Sequence, residues 1–233
     1  MSVFANITPR YDLYGPIHKA LRAQLCDTLL RVGRVDVFDE LDRRRACDQL
    51  TTLLAALRSH LAHEEDFIHP LLESLEAGSA APVLGEHDDH REAIFELELL
   101  VSNLRATASP RVADSVYRRL ACLVADNLSH MEVEESRVQE LLWSRFTDAE
   151  LAALNDRIIA NIAPDEMGAT LVWMLPALTP AQRAGMLGAM REQAPPPAFD
   201  AVVGIARAHL DPPAWIKLTR SLGLPAVPGL VTA

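Results

Sequence analysis

Apolar residues recur at intervals of three and four positions along four long stretches of the chain, which predicts four amphipathic helices. The second stretch is the most informative, because its apolar face also holds polar side chains: Leu50, Leu53, Leu57, His60, Glu64, Phe67 and Leu71. A face of this kind packs against a core. Burying a carboxylate without a partner costs several kcal/mol. We therefore expect a cation to lie beside Glu64.

Proline, glycine and capping residues indicate where the predicted helices begin and end. The long helices are expected at 15–34, 39–76, 82–106 and 109–146, and shorter ones at 147–162, 164–177, 180–192, 197–210 and 212–222. Pro70 lies inside the second helix and should bend or break it. No motif recurs at a fixed period, so we expect no internal repeat.

Four long helices with short connections predict an all-α fold with an up-down-up-down four-helix bundle over residues 10–146. We expect residues 147–222 to form a C-terminal region of shorter helices and residues 223–233 to form a flexible tail. Composition agrees with a helical protein, because apolar residues make up 49% of the chain and there are only 10 glycines.

The net charge of −10 disfavours binding to nucleic acid and to anionic membranes. No apolar run is long enough to span a bilayer, and the N-terminal residues lack the features of a secretion signal, so we expect a cytoplasmic protein. Cys26, Cys47 and Cys122 are odd in number and far apart. They are expected to be reduced thiols in or near the core.

Each predicted bundle helix carries at least one histidine on its apolar face. His60 and Glu64 are four residues apart, as are His130 and Glu134, so each pair shares one face of its helix. The candidate ligands are His18, His60, Glu64, His87, His90, His130 and Glu134. Imidazole and carboxylate are ligands for iron, manganese or zinc. Seven are too many for one ion with an open position, so we predict two ions, with the carboxylates free to bridge them.

Other residues near these candidates are expected to stay outside the site. His63 is about 60° from His60 around the helix and should lie on its flank. His69 and Glu65 should face solvent. Tyr14 precedes His18 by one turn, and it either lines the site or packs in the core; we favour packing. A competing interpretation of the whole cluster is a set of buried ion pairs without metal. The coincidence of two His-x-x-x-Glu pairs with three further histidines favours metal.

At these residues the sequence resembles the hemerythrin-like, HHE cation-binding family. The resemblance rests on His18, the two His-x-x-x-Glu pairs and the Glu86-His87 segment, and it covers residues 10–146. It implies a non-haem di-iron centre in a four-helix bundle, bridged by two carboxylates and an oxygen species. Members of the family bind dioxygen, sense oxygen or iron, or act in redox and nitrosative stress. The part after Phe146 resembles an extension found in some bacterial members.

The sequence departs from the oxygen-carrier pattern in two places. That pattern has two third-helix histidines four residues apart, whereas His87 and His90 are three apart. Its last carboxylate is an aspartate five residues after a histidine, whereas Glu134 follows His130 by four. The ferritin-like signature, Glu-x-x-His, has the opposite order and a different spacing. Metal binding is therefore expected more firmly than oxygen carriage.

Two functions follow from these observations. One is a binding or sensing protein whose two iron ions, with manganese or zinc as alternatives, take dioxygen or a related small ligand. The other is a redox enzyme acting on peroxide or nitric oxide, or an iron supplier for cluster repair. The absence of a Ser/His/Asp set or a phosphate loop favours the first, and whether the protein is an enzyme stays open. The C-terminal methionines form either a surface for a partner or second copy, or an ordinary core; we favour the core.

Overall fold

The structure, a computed structural model, describes residues 10–225. All regular structure in this range is helical, which confirms an all-α protein with a four-helix bundle and additional C-terminal helices. The helices are α1 (Gly15–Gly33), α2 (Glu40–Phe67), α3 (His69–Leu75), α4 (Ala81–Ala106), α5 (Pro110–Val133), a π-helical turn (Glu134–Val138), α6 (Gln139–Arg145), α7 (Asp148–Ala160), α8 (Pro164–Ala177), α9 (Pro180–Gln193), α10 (Pro196–His209) and α11 (Pro212–Leu222).

Local capping accounts for several of these boundaries. The Asp39 side chain accepts hydrogen bonds from the first turn of α2, and Ser109 caps α5 in the same way. Thr147 and Glu150 form the reciprocal capping box of α7. Because each cap satisfies backbone N–H groups that a helix leaves unpaired, the boundary follows from residues adjacent in sequence.

Two of the long helices predicted as continuous are interrupted. The second ends at Phe67, and a new helix begins at His69, next to Pro70. Proline has no backbone N–H to continue the ladder, so the break follows the prediction. The fourth contains the π-helical turn at Glu134–Val138, which periodicity did not predict. A π turn accommodates one more residue than an α turn and is frequent at functional sites.

The described residues divide into two compact units. The first comprises residues up to His18 together with Gln24–Asn161, and the second comprises Lys19–Ala23 together with the residues from Ile162 onward. In the first unit, α2 packs against α4 and α4 packs against α5. Several leucines of these helices are almost completely inaccessible to solvent: Leu50, Leu53, Leu54, Leu97, Leu120 and Leu123.

A separate apolar cluster of the first unit includes residues of α7. Its buried members are Leu13, Tyr14, Ile68, Leu72, Ala80, Val83, Val138, Leu142, Leu151 and Leu154. Leu151 and Leu154 come from α7, at a spacing that places both on one face. The first compact unit therefore extends beyond Phe146 to Asn161.

The second unit contains an internal repeat that the sequence analysis did not predict. Its four helices begin at Pro164, Pro180, Pro196 and Pro212, at regular intervals of 16 residues. Helix α8 packs against α10, and α9 packs against α11, as expected for two stacked helical hairpins. The expectation of no internal repeat was wrong. The repeat is not evident in the sequence, because the helices share little beyond the proline that starts each of them.

The core of the second unit is apolar and well defined. Its buried members are Leu171, Leu175, Leu187, Phe199, Val202, Ala206 and Leu218. Met167, Met174, Met186 and Met190 pack against this cluster, as in the core arrangement considered for them. The chain after residue 225, which includes most of the predicted flexible tail, lies outside the described residues.

The three cysteines differ in exposure. Cys47 is buried, whereas Cys26 and Cys122 are exposed, and none of the three forms a disulfide within residues 10–225. The prediction of core or near-core thiols was wrong for the two exposed ones. Each lies one residue from a buried leucine of its helix, so it faces away from the bundle interior. Among the described helices, none combines the length and the apolarity needed to cross a membrane.

Candidate metal centre

The bundle brings six of the seven predicted ligands into two groups of close ligand atoms, and His90 lies beside the second group. α1 supplies His18, α2 supplies His60 and Glu64, and α4 supplies two histidines, while His130 lies near the end of α5 and Glu134 begins the π turn. All are buried except His60, whose side chain is 11% exposed.

A first ligand group consists of His18, His60, Glu64 and Glu134, each with one ligand atom within 4.8 Å of the others. His60 Nε2 lies 3.3 Å from Glu64 Oε1. His18 Nε2 lies 3.4 Å from Glu134 Oε2 and 3.9 Å from Glu64 Oε1.

A second ligand group consists of His87 and His130 with the same two carboxylates. His87 Nε2 lies 3.4 Å from Glu64 Oε2, and His130 Nε2 lies 3.4 Å from Glu134 Oε1. The two imidazole Nε2 atoms are 3.1 Å apart.

Both carboxylates are shared between the ligand groups, with one oxygen on each side. Glu64 presents Oε1 to the first group and Oε2 to the second, while Glu134 presents Oε2 to the first and Oε1 to the second. This is the disposition that two bridging carboxylates require. Two imidazoles and two carboxylate oxygens are then available at each position.

Three outer glutamates, Glu65, Glu86 and Glu135, hold the far sides of three imidazoles. His18 Nδ1 lies 3.0 Å from Glu135, His87 Nδ1 lies 2.9 Å from Glu65, and His130 Nδ1 lies 2.6 Å from Glu86. A carboxylate accepts a hydrogen bond, so Nδ1 carries a proton, and Nε2 of the neutral ring has a lone pair for the interior. Partners of this kind fix the orientation of metal-binding histidines and raise their basicity.

Several buried atoms in the centre have no hydrogen bond to any described residue. They are His18 Nε2, His60 Nε2, both side-chain oxygens of Glu64, and Glu134 Oε2. Buried polar atoms are normally paired. These atoms are all electron-pair donors, and they converge from α1, α2 and the π turn. A cation would satisfy them together, so the residues fit a metal centre.

The sequence model of the hemerythrin HHE cation-binding domain matches residues 12–142. The chain belongs to this family. No curated protein and no solved structure shows a significant match to it. Membership in the hemerythrin family shows a cation-binding protein, and the matched residues include both ligand groups.

Without an ion, the two carboxylates of the hemerythrin centre titrate very differently. Burial raises the pKa of Glu64, but the charges of His60 and hydrogen bonds from neighbouring histidines outweigh this effect and hold it well below its usual range. Burial and the negative charge of Glu64 raise the pKa of Glu134 to about 7. Two carboxylates this close repel each other, and divalent ions would remove that repulsion.

The imidazoles of the centre also differ in basicity. Burial lowers the pKa of His60 to about 4. Burial lowers the pKa of His130 as well, but the hydrogen bond and charge of Glu134 outweigh it and raise the value to about 9. A proton on His130 agrees with the short distance between its Nε2 atom and that of His87. An entering ion must therefore displace that proton.

His90 and His69 flank the second ligand group of the hemerythrin centre. The ring centroid of His90 lies 5.0 Å from that of His130, and the centroid of His69 lies 4.9 Å from that of His87. Both side chains are buried. The prediction that His69 faces solvent was wrong, because the break at Ile68 ends the register of α2.

Tyr14 and His63 lie where the sequence analysis favoured. Tyr14 is buried in the apolar cluster that includes residues of α7, and its ring centroid is 5.2 Å from that of His18. It therefore packs in the core while also touching a candidate ligand. His63 is half-buried and belongs to neither ligand group.

Sequence reasoning missed the outer glutamates. Glu65 was predicted to face solvent, but it accepts hydrogen bonds from His87 and Arg91. Glu65 directly follows Glu64, Glu135 directly follows Glu134, and Glu86 directly precedes His87. A glutamate next to a candidate ligand is a signal that could have identified all three. The side chain of Glu is long enough to reach an imidazole on a neighbouring helix.

Proposed function

We propose that this chain is a non-haem di-iron protein that binds or senses dioxygen or a related small ligand. One observation supports this above all others: Glu64 and Glu134 each direct one oxygen toward each of two histidine groups. A site for a single ion would not need two such shared carboxylates. Histidine and carboxylate ligands suit iron, with manganese or zinc as alternatives.

The proposed ligands are His18, His60, Glu64, His87, His90, His130 and Glu134. Two bound iron ions would supply a redox-active centre with a position at which a small ligand can exchange. The chain's own residues hold the imidazoles in place through the outer glutamates, and they exclude bulk water through the leucines of the bundle. Exchange is expected in the first ligand group, because His60 is its partly exposed member.

The test is the iron content and absorption spectrum of protein that is purified and loaded with ferrous iron without air. We expect two iron ions per chain and a rise in melting temperature on loading, because a ligand that binds only the folded state stabilises it. Exposure to air should change the near-ultraviolet and visible absorption, and removal of oxygen should reverse the change. A chain that binds no iron, or whose loaded spectrum ignores oxygen, would refute the proposal.

A redox enzyme acting on peroxide or nitric oxide, or an iron supplier for cluster repair, is the second candidate. The partial exposure of His60 favours it, because a reactant could reach that side of the centre. Turnover by the reduced protein that disappears in His60→Ala would support this function. Binding at fixed stoichiometry without turnover would support the first. A cytoplasmic location and a protein partner for α8–α11 stay predictions.

A further inference from the structure

We propose that His69 is an additional imidazole ligand of the second metal position, next to His87. The inference rests on the proposed function, since it concerns the same pair of ions. His69 is the first residue of α3 and was not among the residues that the sequence pattern assigned to the site.

The break in the helix is what turns His69 inward. On an uninterrupted α2, nine residues after His60, it would point about 180° away from that ligand. The helix instead ends at Phe67 and restarts beyond Ile68. In the resulting position the His69 side chain is only 5% exposed and lies against His87.

The spacing of the rings suits a shared ion. Imidazoles that bind one ion through nitrogens about 2.1 Å away have ring centres roughly 4.5–5.3 Å apart, by simple geometry. The His69–His87 and His87–His130 centroid distances are both 4.9 Å, and the His90–His130 distance is 5.0 Å. Each neighbouring pair therefore has the spacing of two rings that share an ion, with His69 lying next to the ligand group formed by His87, His130 and the two carboxylates.

The hydrogen bonding of His69 differs from that of His18, His87 and His130 and matches that of His90, whose Nδ1 also meets no partner among residues 10–225. His18, His87 and His130 each place Nδ1 against an outer glutamate, whereas Nδ1 of His69 is buried and meets no partner among residues 10–225. Buried polar atoms are normally paired, and a bound ion would give this ring nitrogen its missing partner.

Helix α4 supplies no further histidine four residues after His87. One turn after His87 on the same face of α4 stands Arg91, which pairs with Glu65 and Asp88. That face therefore offers no second imidazole at the four-residue spacing. With His69 and His90 added to His87 and His130, the second position would have four nitrogens and two carboxylate oxygens, a complete six-ligand set. The first position, with two nitrogens, would be the one left open.

The experiment compares the wild-type chain with His69→Gln and His69→Phe. His63→Gln is the matched control, because it removes a half-buried imidazole from α2 that, unlike His69, has no ring contact with His87 among residues 10–225. Each protein is stripped of metal, checked for helix content by circular dichroism, and dialysed without air against a series of ferrous iron concentrations. Elemental analysis then gives the bound ions per chain.

We expect both His69 variants to bind one of the two ions at least tenfold more weakly, and the control to bind both as the wild type does. Phenylalanine keeps a ring against His87, so a His69→Phe protein with wild-type affinity would show a packing role and overturn the inference. Wild-type affinity in both variants would also overturn it. If the wild-type chain itself binds no iron, the proposed function fails as well, which separates the two cases.

Discussion

His130 and Glu86 come from different helices, and Nδ1 of the histidine lies 2.6 Å from Oε2 of the glutamate. The glutamate side chain is 45% exposed, so on solvent exposure alone it would pass for a surface residue. Its partner is almost completely buried, with Nε2 3.4 Å from Glu134. The charge at the surface therefore orients a ring at the centre of the bundle.

Replacing that charge should weaken iron binding without unfolding the protein. Removing such a partner of a metal-binding histidine typically costs 10–100-fold in affinity, and we expect a loss of that order, about 10–100-fold, for Glu86→Gln. Equilibrium dialysis with ferrous iron measures it. Glu96→Gln is the matched control, because Glu96 lies on the same helix, is similarly exposed and pairs with Arg119 instead. Equal affinities in the two variants would contradict the role given to Glu86.

The shared carboxylates predict different stoichiometries for two neighbouring substitutions on α2. Glu64→Ala removes an oxygen ligand from both positions and should abolish binding of both ions. His60→Gln removes a ligand from the first position alone and should leave one ion per chain. Iron analysis after dialysis distinguishes these results, with the exposed Asp66→Asn as control. Retention of one ion by Glu64→Ala would argue against sharing.

Stability of the metal-free protein should decline as the pH rises from 6.5 to 9. The pKa of His130 is raised from 6.5 to about 9, because the hydrogen bond and charge of Glu134 outweigh the effect of burial. The folded state then binds this proton more tightly than the unfolded state, so the stabilisation is complete below pH 6.5 and is lost as the pH passes 9. His18 contributes in the same direction, since its pKa is also raised.

Urea unfolding of chelator-treated protein across this range measures the decline. His130→Gln should flatten it, although the contribution of His18 should persist. Below pH 6.5, His60 should make stability fall as the pH falls. Burial lowers its pKa to about 4, so the unfolded state binds that proton more tightly than the folded state does. If the free energy of unfolding of His130→Gln falls with pH as steeply as that of the wild type between pH 6.5 and 9, the raised pKa of His130 is not the cause of the decline.

Two arginines of α9 provide a test of the second unit. Arg183 is buried and donates hydrogen bonds to the carbonyls of Leu175 and Leu178 at the end of α8. Arg191 is exposed and donates to the carbonyl of Leu222. Since removing Arg183 leaves buried carbonyls unpaired, we expect Arg183→Ala to lower the free energy of unfolding by about 2–4 kcal/mol. Arg191→Ala should cost less than about 1 kcal/mol.

Circular dichroism during urea unfolding measures both losses. Iron content should stay at the wild-type value in each variant, because neither arginine is near the ligand groups in sequence. Similar losses for the two variants would show that burial of Arg183 does not carry the effect.

Sequence reasoning succeeded where a property depends on neighbours within one turn. The starts at Pro110 and Asp148 follow from Ser109 and Thr147, which cap them. The two His-x-x-x-Glu pairs could be predicted for the same reason, because spacing alone places each pair on one face. Four such faces that each carry histidine then converge in any four-helix bundle.

It failed where the outcome depends on contacts between helices. Glu65 lies about 100° around the helix from Glu64, which periodicity assigns to solvent. Only the approach of α4, which brings His87 and Arg91, gives this carboxylate its partners. His69 was wrongly predicted to face solvent, because the break at Ile68 changes the direction of its side chain. The presence of Pro70 predicts a break but does not specify the new direction.

The π turn at Glu134–Val138 bears on how such a centre can change over evolutionary time. A wide turn of this kind is how a helix absorbs one inserted residue without losing its course. At its start, Glu134 and the preceding His130 belong to the candidate ligand groups, and at its end, Val138 and the following Leu142 belong to the apolar cluster. An insertion between them uncouples the two halves of one helix. Substitutions that change the choice of metal need not disturb the apolar cluster, and the cluster can change without moving a ligand.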